Sequence, residues 1–310
     1  MISDLFSATV LIGILASGIR LATPYLYAAI GETFSQRSGV LNLGVEGQML
    51  LGAFAAFYVS LTTGNLWLGM LAAVLVGAAM GLAMAYVTVN LQAEQGISGI
   101  GFYLFGLGMS DLLFQKLMAT VETLQGFPKI YIPGLSDIPG IGEIFFSHNI
   151  LVYIAFLLVP IAWFVLNKTT LGLKIRSVGE NPEAADSLGV NVGRVRYFTI
   201  ILGGTLSGIA GASLSIGLLN VFQQNMTSGS GFIAVALVYF GAWRPIGVLG
   251  GALLFSMINS LQLWIQVKSV PIPSEIAIMM PYVLTILVLV ATVSRVRAPS
   301  ALTKPFEREN

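Results

Sequence analysis

Apolar runs of membrane length follow one another along nearly the whole chain, and they restrict its fold more than any other feature of the sequence. Only 9% of the 310 residues are charged and 56% are hydrophobic, with a mean hydropathy of +0.86, whereas soluble domains carry about 25% charged residues. Nine runs approach the length that a bilayer-spanning helix needs, at roughly 6–30, 41–62, 65–90, 96–119, 147–167, 197–219, 229–242, 246–267 and 275–293. We therefore expect an all-α polytopic membrane protein with about nine transmembrane helices.

Proline and glycine residues interrupt several of these runs. Pro24, together with Arg20, is expected to break the first span, and Gly44 and Gly47 are expected to loosen the start of the second. A group of glycines with one proline at 241–251 fragments the seventh and eighth runs, and the seventh is short for a full crossing. Three pairs of glycines favour close helix packing within the chain: Gly77 and Gly81, Gly204 and Gly208, and Gly247 and Gly251.

The positive charges are unevenly divided between the two ends of the predicted spans. With the loop 168–196 placed in the cytoplasm, nine spans leave eleven Lys and Arg residues inside and three outside. The eleven are Arg37, Lys168, Lys174, Arg176, Arg194, Arg196, Arg244, Arg295, Arg297, Lys304 and Arg308. This bias predicts an external N-terminus and a cytoplasmic C-terminus. Residues 120–147 then form the longest external loop, and 1–310 are expected to be a single transmembrane domain.

The loop 168–196 is the one long polar segment of the chain and holds five of its fifteen Lys and Arg residues. Start and stop signals for a short helix lie inside it. Asn181 suits the N-cap, Pro182 suits the first helical position, and Glu183 places negative charge at the helix N-terminus. Gly189 ends the helix. A short, stiff helix on the basic side of a membrane protein indicates a part on which another protein pushes.

Polar side chains are costly inside a bilayer, so those within the apolar runs are candidates for a functional site. The densest group, at the junction of the first two runs, consists of Glu32, Arg37, Asn42, Glu46 and Gln48. Asn42 and Glu46 are four residues apart and share a helical face if the second helix has begun by then. Two interpretations stay open for this group: charge pairing of Glu32 or Glu46 with Arg37, or direct contact with a substrate.

The sequence lacks the residues that most enzymatic chemistry needs. It has no cysteine and a single histidine, His148, which excludes thiolate nucleophiles, thiolate metal sites and metal sites with two histidines. It has no GxxxxGK[ST] loop for ATP, and the stretch GISGIGFYLFG lies in a predicted span without the preceding strand of a nucleotide-binding loop. We therefore expect a non-catalytic protein with no cofactor of its own.

Three segments together carry a resemblance to a known family. LNLGVEGQMLLGAF (41–54), preceded by LATPYLYAAIGETFSQRSGV, resembles the signature of ABC-importer permeases of the ribose/branched-chain amino acid class and is most similar to their nucleoside-type branch. The loop 168–196 is similar to the coupling-helix loop of that family, and FGAWRPIGVLGGALLF is similar to its late glycine-rich hairpin. The resemblance covers nearly the whole chain in the right order.

The resemblance implies a type II ABC-importer fold in the bacterial cytoplasmic (inner) membrane. Two permease chains, often different but related in the nucleoside branch, would form a pseudo-two-fold pore. An ATPase with two nucleotide-binding domains would dock beneath the pore and use the ATP and Mg. A substrate-binding lipoprotein would deliver the ligand from outside, and the pore would work by alternating access.

The resemblance also assigns site residues by position. Eight match the coupling helix: Gly179, Glu180, Asn181, Pro182, Ala184, Ala185, Gly189 and Val190. By the same resemblance, Asn42, Glu46 and Gln48 would lie near the pore, where contact with substrate is a hypothesis.

The chain departs from the family at AEQGISGIGFYLFGLG, where an Asn-rich stretch is common. Phe102, Tyr103 and Phe105 in this stretch would suit a flat ring such as a nucleobase, and they would equally suit helix packing. A simple sugar such as ribose or galactose, and riboflavin, stay open as alternative substrates. An ion-coupled secondary transporter is the alternative from another class, for which only Asp111 is a suitable intramembrane carboxylate.

Overall fold

The structure is a computed structural model that describes residues 7–267, 273–292 and 297–307. Within these ranges the chain is helical, with two isolated β-bridges and no strand. The helices are α1 (Ala8–Arg37), α2 (Val45–Thr63), α3 (Leu66–Ala85), α4 (Gln95–Leu117), α5 (Ile141–Phe145), α6 (Ile150–Lys168), α7 (Thr170–Glu180), α8 (Pro182–Ser187), α9 (Val192–Ala212), α10 (Ser230–Phe240), α11 (Pro245–Val267) and α12 (Ser274–Thr292). π-Helical turns at Tyr86–Asn90 and Ser213–Leu219 continue α3 and α9. The all-α fold class is confirmed.

Seven helices of the described residues are long and apolar enough to cross a membrane. They are Ala8–Arg37, Val45–Thr63, Leu66–Asn90, Gln95–Leu117, Ile150–Lys168, Val192–Leu219 and Pro245–Val267. Each coincides with a predicted span. The predicted span 229–242 contains the 11-residue α10 instead, and the predicted span 275–293 overlaps the 19-residue α12. A polytopic membrane protein is therefore confirmed, but the count of nine spans is not.

The first span is not broken at Pro24, contrary to the expectation from the sequence. α1 continues through this proline over 30 residues. A proline removes one backbone donor, and every residue from Ala22 to Gln36 is buried, largely against α9, α11 and α10. The packing of this half of α1 therefore outweighs the lost hydrogen bond.

Helix α9 packs against α1, α2 and α3, and glycines let its backbone approach α3 closely. A Cβ atom at Gly77 would lie 2.4 Å from the Gly204 carbonyl oxygen, and one at Gly204 would lie 2.5 Å from the Gly77 carbonyl oxygen. Gly81 and Gly208 extend the same contact along the two helices. Packing within the chain is therefore confirmed for these two predicted glycine pairs, and the third pair, Gly247 and Gly251, packs against the C-terminal end of α10.

We expect Gly77→Ala to destabilise the protein and Gly108→Ala to stabilise it by up to about 1 kcal/mol, because alanine favours a helix more than glycine does. The new Cβ atom at residue 77 meets the backbone of α9, whereas nothing lies within 4 Å of a Cβ atom at residue 108. Overpacking of this kind costs about 1–3 kcal/mol. Thermal unfolding of the two variants in detergent measures the difference, and equal melting temperatures would contradict the close α3–α9 contact.

The polar loop 168–196 contains one helix more than the sequence predicted. Residues 170–180 form α7, in which Ile175 and Val178 are buried. The side chain of Thr169 caps the N-terminus of this helix. The high overall polarity of the loop concealed an amphipathic helix whose apolar residues face the bundle.

The two ends of the bundle carry different structures. The turn after α1 and the segment 297–307 lie beside α7 at one end. The segment 120–147 lies at the opposite end of α6, where Lys129 forms a β-bridge with Asn149 and residues 141–145 form α5. Three cations of the charge count lie outside the described residues: Lys268, Arg295 and Arg308.

Candidate functional site

The predicted short helix in the polar loop is present as α8. The Asn181 side-chain oxygen accepts a hydrogen bond from the Ala184 N–H at 3.0 Å, and Pro182 is the first helical residue. After the helix, Gly189 has a φ of +84°, a conformation that favours glycine. The start and stop signals of the sequence are confirmed.

The eight predicted coupling residues divide into an exposed and a buried set. Exposed or partly exposed are Glu180, Asn181, Pro182, Ala184, Gly189 and Val190. Ala185 and Gly179 are buried within the chain, and a Cβ atom at Gly179 would lie 2.1 Å from the Arg37 carbonyl oxygen. Contact of the exposed set with an ATPase stays a prediction.

Leu188, which follows α8, is a residue that sequence reasoning missed. Its side chain is 85% exposed, more than any other large apolar side chain in the described part of the chain. Exposed apolar residues are ordinary on a surface that faces lipid, but Leu188 follows Asp186 and Ser187 in a polar loop, so its contact with another protein is a prediction. The exposure of Leu188 could have been predicted from its position between the end of the short helix and Gly189.

A second candidate site is a group of five buried residues at the junction of α1, α2 and the α10–α11 turn. This buried polar cluster consists of Glu32, Gln36, Asn42, Gln48 and Trp243, each at most 2% exposed. Glu32 Oε1 accepts hydrogen bonds from Gln36 Nε2 at 2.9 Å and from the Asn42 N–H at 3.0 Å. Gln36 Oε1 accepts from the Trp243 indole at 2.7 Å, and Asn42 Nδ2 donates to Gln48 Oε1 at 3.1 Å. The cluster therefore joins three parts of the bundle.

Glu46, in the first turn of α2, has a carboxylate that faces the N-terminus of α10. Its Oε1 accepts hydrogen bonds from the Thr227 hydroxyl at 2.5 Å and from the Gly229 N–H at 2.7 Å, and its Oε2 accepts from the Gly231 N–H at 2.5 Å. The N-cap of α10 is Gly229, which has no side chain to satisfy the first N–H groups of the helix. Glu46 supplies that acceptor from another helix, with a charge that suits the helix N-terminus.

The predicted charge pairing of Glu32 or Glu46 with Arg37 is wrong for the described residues. Both carboxylates accept hydrogen bonds from backbone, amide or hydroxyl donors. Arg37 Nε donates to the Trp243 carbonyl oxygen at 3.0 Å. Neutral donors take the place of the cation as partners of the two carboxylates, and these donors are close in sequence for Glu32 and distant for Glu46.

The condition for Asn42 and Glu46 to share a helical face is not met, because α2 begins only at Val45. Asn42 lies in the preceding turn, where its side-chain oxygen accepts a hydrogen bond from the Gly44 N–H at 2.9 Å. Such a local bond favours a turn over a helix. Asn42, Glu46 and Gln48 are each at most 1% exposed in this chain, and their contact with a substrate stays a prediction.

The predicted aromatic residues of α4 lie in two different surroundings. Phe102 and Phe105 line a largely apolar, open groove of about 720 Å³ between α3 and α4. Tyr103 packs edge-on against Phe232 of α10, with ring centroids 5.2 Å apart. Aromatic pairing stabilises this contact by about 0.5–1.5 kcal/mol. A role of Phe102 and Tyr103 in recognising a flat ring stays a prediction.

His148 lies outside the spans, in the segment before α6. Burial lowers the pKa of its imidazole, and the nearby Arg20 and Lys129 lower it further, against the opposing effect of a hydrogen bond to the Ile144 carbonyl oxygen. The surroundings of His148 therefore favour the neutral form of its imidazole. Among the residues that the structure describes, no group of three or more His, Asp and Glu side chains is placed to hold a metal ion.

Comparison with known proteins gives a consistent set of relatives. The profile of a family described as "Branched-chain amino acid transport system / permease component" matches residues 14–289. The chain is 39% identical to a Haloferax volcanii protein provisionally named glucose ABC transporter permease protein TsgC13, over 96% of this chain and 98% of that protein. It is also 39% identical to the guanosine ABC transporter permease protein NupQ of Bacillus subtilis, over 92% of this chain and 93% of that protein.

A second guanosine ABC transporter permease protein of Bacillus subtilis, NupP, matches more distantly. It is 26% identical over 83% of this chain and 76% of that protein. One organism therefore has two related proteins, both named as guanosine permeases, that match this chain. No solved structure matches the chain.

Proposed function

This chain belongs to the family of permease components of branched-chain amino acid transport systems, and we propose that it forms half of the pore of an ATP-driven ABC importer for nucleosides. The observation that carries the proposal is the short, capped helix α8 on a polar loop, followed by the exposed Leu188. A membrane protein without an ATP-binding loop needs such a part to receive movement from an ATPase. The ion-coupled secondary transporter does not fit membership of this family.

The proposed mechanism is alternating access driven from outside the chain. Closure of the two nucleotide-binding domains of the ATPase displaces α8, which moves as a stiff body because Asn181 and Gly189 fix its two ends. The movement reaches α1, since α7 packs against α1 through the contact of Gly179 with Arg37. The pore then opens to one side or the other of the membrane. This chain supplies the path and two conformations, and the ATPase supplies the energy.

The proposed assembly contains a second permease, an ABC ATPase with two nucleotide-binding domains and a substrate-binding lipoprotein. The pair of guanosine permease proteins in Bacillus subtilis supports two different but related chains in the pore. In the bacterial inner membrane, the N-terminus would be external and the C-terminus cytoplasmic. The segment 297–307 lies beside α7, which supports the same, cytoplasmic, side of the membrane for this segment and for the loop that carries α8.

Nucleosides are the proposed substrate, and glucose or a related simple sugar is the second candidate. Two relatives are named for guanosine, two for nucleosides and two for glucose. Phe102 and Tyr103 would favour a substrate with a flat base over a sugar alone. Uptake of labelled guanosine and glucose by proteoliposomes that contain the whole importer distinguishes these substrates. Uptake without ATP that collapses with the proton gradient would overturn the ABC mechanism.

We expect Leu188→Asp to release the ATPase from the permease, while Leu135→Asp leaves the complex intact. Leu188 is 85% exposed beside α8, whereas Leu135 is 42% exposed in the segment 120–147 at the other end of the bundle. Loss of a central apolar contact typically weakens an interface by about 2 kcal/mol or more. Co-purification of the ATPase with each variant measures the effect. Equal recovery of the ATPase with both variants would remove Leu188 from the interface.

A further inference from the structure

The segment 297–307 folds back onto the end of the bundle that carries α8. Pro299 and Ala301 are buried, and Leu302 and Phe306 pack against the main core of the bundle. Gln92 Nε2 donates a hydrogen bond to the Phe306 carbonyl oxygen at 3.3 Å, which joins the segment to the connection between α3 and α4. This packing gives the segment a defined position.

Backbone hydrogen bonds connect the segment to two different elements. The Ala301 N–H donates to the Gly179 carbonyl oxygen in α7 at 2.9 Å. The Thr303 N–H donates to the Gly39 carbonyl oxygen at 3.1 Å, in the turn between α1 and α2. One short stretch of chain thus links the helix that precedes α8 to the turn that leads into the buried polar cluster.

Side-chain contacts reinforce the link to α7. The Ser300 hydroxyl donates to Glu180 Oε2 at 3.0 Å, and the Ser300 N–H approaches the same oxygen at 3.4 Å. Glu180 is the last residue of α7 and directly precedes Asn181, the N-cap of α8. The segment therefore contacts the chain immediately before the helix that is proposed to receive movement.

The turn between α1 and α2 is closely packed at Gly39, against the segment 297–307 and Arg196. Gly39 has a φ of +91°, and a Cβ atom there would lie 3.0 Å from the Ala301 carbonyl oxygen and 3.1 Å from Arg196 Nη2. Arg196 Nε donates to the Ser38 carbonyl oxygen at 3.3 Å. Close packing of this kind transmits displacement because the parts cannot slide past one another.

We propose that residues 297–307 form a strap that joins α7 and α8 to the turn between α1 and α2, so that these elements move as one body when an ATPase displaces α8. This inference rests on the proposed function. Ser300, Ala301 and Thr303 are positioning residues: they contact neither substrate nor nucleotide, and they hold the moving helix against the inner end of α1. Without the strap, displacement of α8 reaches α1 only through the contact of Gly179 with Arg37, and less of it is transmitted.

Removal of the strap tests its role in coupling. In the complete importer, a chain that lacks residues 297–310 is expected to bind the ATPase and keep its basal ATP hydrolysis, while uptake per ATP falls about tenfold. Ser300→Ala removes one contact and is expected to lower uptake per ATP about twofold. Lys304→Ala is the matched control, because this side chain is exposed on the same segment. Unchanged uptake per ATP in the shortened chain would overturn the proposal.

A disulfide across the strap gives a readout that does not depend on transport. The chain has no cysteine, so Glu180→Cys with Ser300→Cys introduces a single possible pair, and each single variant is its control. We expect the pair to crosslink in membranes, and we expect its uptake to be the same after oxidation as after reduction, since the joined parts move together. Failure to crosslink, or uptake that stops on oxidation and returns on reduction, would overturn the strap. Absence of ATP-dependent uptake in the unmodified importer would instead contradict the proposed function, even if the crosslink forms.

Discussion

Replacing Ala185 with proline is expected to abolish the ATP hydrolysis that a loaded binding protein stimulates, while the membrane spans remain inserted. The Ala185 N–H donates to the Asn181 carbonyl oxygen at 3.1 Å, and the Ala185 carbonyl oxygen accepts from the Val190 N–H at 3.0 Å. Proline removes the first bond and distorts the second, and inside a helix it costs about 3 kcal/mol. A helix of six residues has few other bonds to hold its shape. When the ATPase displaces α8, the loop around α8 would then bend, and α7 would not move.

Ala185→Gly is the graded control at the same position. Glycine keeps the N–H and both backbone bonds and weakens a helix by about 1 kcal/mol. Stimulated ATP hydrolysis should therefore fall slightly in Ala185→Gly and be lost in Ala185→Pro, because proline destabilises the helix more than glycine does. ATPase assays in nanodiscs with the complete importer measure both variants. Full stimulation in the proline variant would show that α8 does not act as a stiff lever.

Features that depend on local sequence were predictable, and α8 is the clearest case. Asn181, Pro182 and Gly189 each act on residues within one helical turn, so the helix, its cap and its left-handed end follow from neighbouring residues. α7 was missed because its polar composition concealed two buried residues, Ile175 and Val178, at helical spacing. The continuity of α1 was missed because burial against distant helices decides whether a proline breaks a helix.

Features that depend on tertiary contacts were not predictable in the same way. The sequence identified Glu32 and Glu46 as unusual in a membrane span, but the nearest cation in sequence was Arg37. The partners of Glu46 are between 181 and 185 residues away along the chain. Helical periodicity relates residues a few positions apart, so it cannot predict a contact between residues that far apart in the sequence. The strap was likewise hidden, because it is held mainly by backbone N–H groups that every residue except proline has.

Replacing Glu46 with alanine is expected to detach α10 from α2 and to lower the stability of the protein strongly. The change leaves three donors without their acceptor: the Thr227 hydroxyl and the N–H groups of Gly229 and Gly231. Glu46 is only 1% exposed, so water does not readily replace the carboxylate. Each unpaired buried donor costs about 1–3 kcal/mol. Hydrogen exchange of residues 227–235 should accelerate, and the melting temperature should fall.

The control for Glu46→Ala is Glu94→Ala, because Glu94 makes the same kind of contact in water. Its carboxylate accepts hydrogen bonds from the Ile97 and Gly96 N–H groups at the start of α4, and these bonds lower its pKa. Glu94 is exposed, so its donors turn to solvent when the carboxylate is removed. Glu46→Gln, which keeps one acceptor but loses the charge at the helix N-terminus, should fall between the two. If Glu46→Ala and Glu94→Ala melt at the same temperature, the buried carboxylate does not hold α10 in place.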